Sequence, residues 1–328
     1  MAIFGTKSGV KQVGKPDGRS GPISSNNPGL MGLGWLGLKV ADVVNESRFL
    51  ENTLKLRFLD ESNSPDGHHV HYSSGSLNLE LVSGGATWAT RSRPRHGQPD
   101  ISLVPNLHYN DLNYFAAGLK DQEVPHTRLF EQGWGASLFF LDPERNIWQA
   151  NEIRVEPALA AENIPHIAAL WLSVEDFPAQ LNFYRDVLGL KLVNQGDYSP
   201  PITEASEHYQ QQNPVILPAT PRPVSPTVPS ISTGAVFSAG EVKLALSPGG
   251  QRLEEGKERV WGIDTAFLPG FQTNNLTGFA KKLSDAGIKT SGPYPFYYVY
   301  TTATGPRWQA GSALRFFDLE GHPLQVYQ

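Results

Sequence analysis

The chain contains no cysteine, which excludes disulfides, zinc–thiolate sites, iron–sulfur clusters and cysteine nucleophiles. It also lacks a long apolar run. The longest, around residues 31–40, is rich in glycine and far too short to cross a bilayer. Neither sign of charge dominates: a formal net charge of −5 over 328 residues offers no electrostatic attraction for nucleic acid or an anionic membrane. The N-terminus carries Lys7, Lys11, Lys15 and Arg19 without the apolar stretch of a secretory signal, so the expected location is cytoplasmic. Asn45-Glu-Ser47 and Asn275-Leu-Thr277 fit the glycosylation pattern but read as chance matches in that setting.

What remains is an ordinary globular composition, 39% hydrophobic and 18% charged, at a length that suits about two domains. Its organising feature is repetition. Pro-Asp-Ile-Ser-Leu-Val-Pro-Asn (99–106) answers Ile-Asp-Thr-Ala-Phe-Leu-Pro-Gly (263–270), and Leu-Asp-Pro-Glu-Arg-Asn-Ile-Trp-Gln (141–149) answers Phe-Asp-Leu-Glu-Gly-His-Pro-Leu-Gln (317–325). Residues 72–85 match 237–250 in the same way. The apolar periodicity reads strand, helix, then three strands, four times over. Asp42 is expected to cap the first helix.

The expected domains are a flexible N-terminal arm over 1–30, a first unit over 31–155 (modules 31–90 and 97–155), and a second over 162–328 (modules 162–252 and 258–328). A proline-rich insertion, 197–233, interrupts the third module and is too long for a simple connector. The arm and the insertion are the segments through which a protein partner would dock. A second, aromatic insertion, Tyr294-Pro-Phe-Tyr-Tyr-Val-Tyr300, lengthens the fourth module.

Phe183-Tyr-Arg-Asp-Val-Leu-Gly-Leu-Lys-Leu-Val193, with Leu172-Ser-Val-Glu-Asp176 before it and Phe317-Asp-Leu-Glu-Gly-His322 near the end, resembles the vicinal-oxygen-chelate superfamily of glyoxalases, bleomycin-resistance proteins and extradiol dioxygenases. The resemblance implies an α+β fold: four βαβββ modules paired into two cupped, mixed-sheet domains. It further implies one divalent metal per cup, held by histidines or glutamates from the first and last strands of the modules.

This chain departs from that ligand pattern. The first-strand positions fall on Trp35 and Ala169, and the final-strand positions on Gln149 and Gln325. The second-module opening position is placed at Asp100 and Asp264, and the first module's last strand offers Glu80 where the third has Ala245. No metal or other cofactor is therefore expected. Glu80, Asp100 and Gln149 weakly holding a hard divalent ion in the first unit is the alternative.

The leading expectation is a cupped pocket that binds a small organic molecule, with an isomerase-, cyclase- or lyase-type step. Glu80 or Asp100 would be the general base and Gln149 the group that orients a carbonyl, while Trp35, Asp264 and Gln325 complete the binding surface. Two other readings stand beside it: a metal-dependent lyase or ring-cleaving dioxygenase with atypical ligands, and a non-catalytic scaffold with vestigial pockets. His68-His-Val-His71 reads as exposed strand histidines, with alternation placing His69 and His71 on one face near Glu80. His166 and His322 read as structural. Gly32-Leu-Gly-Trp-Leu-Gly37 fits the dinucleotide pattern but lies within a strand rather than between a strand and a helix.

Overall fold

The computed structural model describes residues 29–87, 90, 103–132, 135–153, 165–197, 233–250, 258–302 and 305–328. Residues 1–28 of the arm, Asp100 and all but the ends of the proline-rich insertion lie outside them.

The first module comprises β1 (Leu30–Lys39), α1 (Val43–Asn52), β2 (Arg57–Ser64), β3 (Gly67–Ser74) and β4 (Leu77–Val82). The second comprises β5 (Leu103–His108), α2 (Leu112–Asp121), β6 (Phe130–Gln132), β7 (Gly135–Leu141) and β8 (Ile147–Ile153). In the third, β9 (His166–Val174) leads to α3 (Phe177–Asn182), whose last turn widens into a π-helical turn (Phe183–Val187), and then to β10 (Lys191–Asp197), β11 (Thr233–Ala239) and β12 (Val242–Pro248). The fourth is β13 (Phe267–Thr273), α4 (Leu276–Asp285), β14 (Thr290–Thr302), β15 (Gly305–Phe317) and β16 (Pro323–Tyr327). These four α-helices each start at a side-chain cap: Asp42, Asp111, Asp176 and Asn275 each accept the backbone N–H three residues on.

Two eight-stranded mixed sheets result, and their composition corrects the expected division of the chain. One runs β14-β15-β16-β13-β1-β4-β3-β2 and the other β10-β11-β12-β9-β5-β8-β7-β6. The first module therefore pairs with the fourth, through antiparallel β1 and β13, and the second with the third, through β5 and β9. Neither sheet belongs to 31–155 or to 162–328 alone. The repeat shows which modules are alike; it carries no information about which ones share a sheet edge. We call the sheet of modules one and four cup A, and that of modules two and three cup B.

Alternation along each strand sorts the side chains. Leu36, Leu38, Leu79 and Leu81 of cup A, and Leu170, Leu172, Trp148 and Ala150 of cup B, join one hydrophobic core together with the helices. Phe49 on α1 meets Phe140 on β7 (centroids 6.2 Å apart), and Trp148 on β8 meets Phe267 on β13 (5.5 Å). The concave faces point the other way.

The repeated Asp-x-Glu turns, Asp142-Pro-Glu144 and Asp318-Leu-Glu320, lock the two cups together. Glu144, in the turn before β8, accepts the backbone N–H groups of Ala41 (2.5 Å) and Asp42 (2.8 Å) at the start of α1. Glu320, before β16, does the same for Glu175 (2.9 Å) and Asp176 (2.7 Å) at the start of α3. Each carboxylate crosses from one cup to a helix start of the other, where N–H groups would otherwise lack partners.

Candidate functional site

The face of cup A is built from β1, β4, β3, β13, β16 and the long β14–β15 hairpin. Trp35 Nε1–H donates to Glu80 Oε2 at 2.6 Å, and both side chains are buried. His69 Nδ1 lies 2.7 Å from Glu80 Oε1, and His71 Nε2 lies 3.8 Å from the same oxygen. The expected clustering of His69 and His71 near Glu80 is thus present, because His71 is the cross-strand partner of Glu80. Their expected exposure is not: His71 is 1% exposed. Burial holds its imidazole below the ordinary value, with the Glu80 carboxylate pulling the other way.

Across the sheet, Gln325 accepts from Tyr294 Oη (2.6 Å) and Arg315 Nε (3.3 Å). Burial pushes the Tyr294 hydroxyl up to about 12 against the opposing pull of Arg315, so it stays a donor. Arg315 also lies over the rings of Trp261 (4.9 Å) and Tyr294 (5.1 Å).

The middle of cup A is full. The Trp35 indole lies against Gly37 and Gly270: a Cβ added at either would come within 2.5 Å and 2.6 Å of its ring carbons. Phe296, Tyr298 and Tyr327 continue the cluster. The hairpin then reaches the far edge of its own sheet, where Trp308 donates to Asp60 and packs edge-on to His71 (4.8 Å), and Asn78 donates to the Val299 carbonyl. The glycines of the dinucleotide-like pattern have structural reasons. Gly32 passes Gly240, Gly34 faces the Tyr327 hydroxyl, and Gly37 seats Trp35.

Cup B is polar and uncharged at the matching place. Asn106 Nδ2 donates to Gln149 Oε1 (3.1 Å), Gln149 Nε2 to Asn151 Oδ1 (3.2 Å), and Asn151 Nδ2 to Asn106 Oδ1 (2.7 Å). The three amides close a ring. Each still has one N–H and acceptor capacity to spare. Trp171, half-buried on the same face, donates from Nε1 to Ser247 Oγ (2.8 Å). Lys243, the strand partner of Ala169, is exposed at the rim.

The expected catalytic group does not assemble. Glu80 and Gln149 lie in different cups, and Asp100 is outside the described residues. Trp35, Glu80 and Gln325 do share one cup. Asp264 is in neither: its carboxylate accepts from Val260 N–H (2.7 Å) and closes the turn before β13.

The second-module opening position was misplaced by six residues and is occupied by Asn106 and Gly270, the partners of Gln149 and Gln325. Seven residues separate Trp35 and Ala169 from their helix caps, but only five separate Asn106 and Gly270 from theirs. Counting back from the caps Asp111 and Asn275 with that shorter spacing would have found them.

The metal implied by the resemblance does not fit these residues. The four positions in cup A hold Trp35, Glu80, Gly270 and Gln325, and an indole fills the space between them. In cup B they hold Ala169, Ala245, Asn106 and Gln149, a set without an imidazole, thiolate or carboxylate. Among the described residues, no group of three His, Asp or Glu side chains is placed to hold a metal ion.

The fold itself is widely shared. A variant of glyoxalase I from Zea mays superposes with a TM-score of 0.58 at 14% identity, covering 92% of this chain and 93% of that one. A candidate dioxygenase from Bacillus subtilis gives 0.56 at 11% identity, covering 92% and 86%. A search of curated proteins finds no match to the sequence. The family model for the Glyoxalase/Bleomycin resistance protein/Dioxygenase superfamily matches residues 163–326, and the chain belongs to that superfamily.

Proposed function

We propose that this protein binds a small, uncharged, ring-bearing organic molecule in cup B, without a metal. The observation that carries this reading is the closed ring of Asn106, Gln149 and Asn151 beside the half-buried Trp171. Amides held by one another are pre-oriented, so their spare donors and acceptors can meet a neutral polar ligand at low entropic cost. An indole alongside supplies an apolar face for a ring. Cup A, by contrast, is occupied by its own aromatic side chains. In this reading Gln149 orients a carbonyl of the ligand. Lys243 at the rim is a group that could exchange a proton in an isomerase- or lyase-type step.

Titration with a panel of neutral heteroaromatic amides, read by tryptophan fluorescence, tests the site. Gln149→Leu should weaken binding about tenfold or more, since it leaves Asn106 and Asn151 without a partner. Trp171→Phe should reduce the signal. Binding that ignores both changes would place the ligand elsewhere. Stoichiometric metal coordinated by side chains of either cup, in protein purified without chelator, would overturn the metal-free reading.

A further inference from the structure

Glu80 has both carboxylate oxygens engaged. Oε2 accepts from the Trp35 indole and Oε1 faces His69 Nδ1. A carboxylate only accepts, so in the neutral imidazole Nδ1 carries the proton and Nε2 presents its lone pair. That lone pair is aimed out of cup A, at Ser64 Oγ, 2.8 Å away. Ser64 ends β2, is exposed, and its Oγ accepts the backbone N–H of Asp66 at 3.0 Å, which fixes where the hydroxyl points. The order is hydroxyl, imidazole, carboxylate, each in hydrogen-bond contact with the next, with an indole N–H steadying the carboxylate.

We propose that Ser64, His69 and Glu80 form a nucleophilic triad at the β2–β3 hairpin that hydrolyses small carboxylic esters. This site is independent of ligand binding in cup B. The residues divide the work as the chemistry requires. Ser64 Oγ bonds to the acyl carbon while its proton passes to His69 Nε2. The ester C–O bond then breaks, and the departing alcohol takes that proton. Water attacks the acyl-serine in the same manner, giving its proton to Nε2, and Ser64 recovers it as the carboxylic acid leaves. Glu80 touches no reacting atom. It is the positioning residue, holding the tautomer and steadying the imidazolium.

Asp60, Glu61 and Asp66 line the same hairpin, which favours neutral or cationic esters over anionic ones.

The full chain is treated with a fluorophosphonate probe and, separately, with p-nitrophenyl acetate. A phosphonyl adduct mapped to Ser64 by peptide mass spectrometry, together with ester hydrolysis above buffer, is the expected result. Ser64→Ala lies on an exposed hairpin end and leaves the fold intact; it should abolish both. Glu80→Gln should slow adduct formation about 100- to 10,000-fold by presenting the wrong tautomer. Its His69 should report the altered tautomer in imidazole nitrogen shifts, a change that loss of packing alone would not produce. Folded protein that gives no adduct at Ser64, or gives one as fast in His69→Gln as in the parent, would overturn the proposal.

Discussion

His71 shows how one buried side chain sets a condition on the whole fold. It is 1% exposed, its Nε2 has no hydrogen-bond partner, and the Trp308 ring covers it. Burial depresses its proton affinity more than Glu80 restores it. Unfolded, the same imidazole takes up a proton near its ordinary value of 6.5, so the unfolded chain binds more protons just below that pH. Stability is therefore lost as pH falls through that value towards the lower folded-state one, and the loss levels off beneath it. Urea midpoints measured from about pH 8 to pH 5 should show this decline. His71→Phe, which keeps a ring against Trp308, should flatten it. Parallel curves for the two proteins would remove His71 as the source.

At the scale of the element, the exchanged glutamates make α1 and α3 depend on the opposite cup. Removing the carboxylate in Glu144→Ala leaves the Ala41 and Asp42 amides without their acceptor, at a cost of about 1–3 kcal/mol. Glu320→Ala should cost a similar amount at α3. Chemical denaturation measures both; a change below about 0.5 kcal/mol in either would class that carboxylate with ordinary surface residues.

The elements themselves were largely legible. Asp42 caps the first helix as its place before an apolar run predicts, because a cap follows from local pattern. The opening of β5 and β13 was not legible. Asp100 and Asp264 look like ligands in sequence, yet Asp264 serves its own turn, and the shorter path from strand to cap hides Asn106 and Gly270. Ser64 was legible in principle, since Pro65-Asp66-Gly67 is a turn signal that folds β2 back on β3, but the sequence does not show that its hydroxyl reaches His69, five residues on. Trp35 was read as pocket lining, and its role as filler became visible only with Gly37 and Gly270 beneath it.

For the molecule as a whole, the pairing of first with fourth and second with third modules predicts how it divides. Fragments cut between modules two and three should each lack a complete sheet: neither 1–160 nor 161–328 contains both β1 and β13, or both β5 and β9. Expressed separately, they should not behave as compact monomers. Mixed, they should form a one-to-one complex with the parent's circular dichroism. Two independently folded monomers on size exclusion would contradict the cross-pairing.

The same pairing orders events in time. All strands of cup B lie between residues 103 and 248, whereas cup A needs β1, which begins at residue 30, and β16, which ends at residue 327. A chain made from its N-terminus, at about 5–20 residues per second, completes cup B first. Module one, synthesised before the other three, must wait for its partner until β13 to β16 emerge. The inner pair is then the template on which modules one and four meet, and cup A closes only after the fourth module has been made.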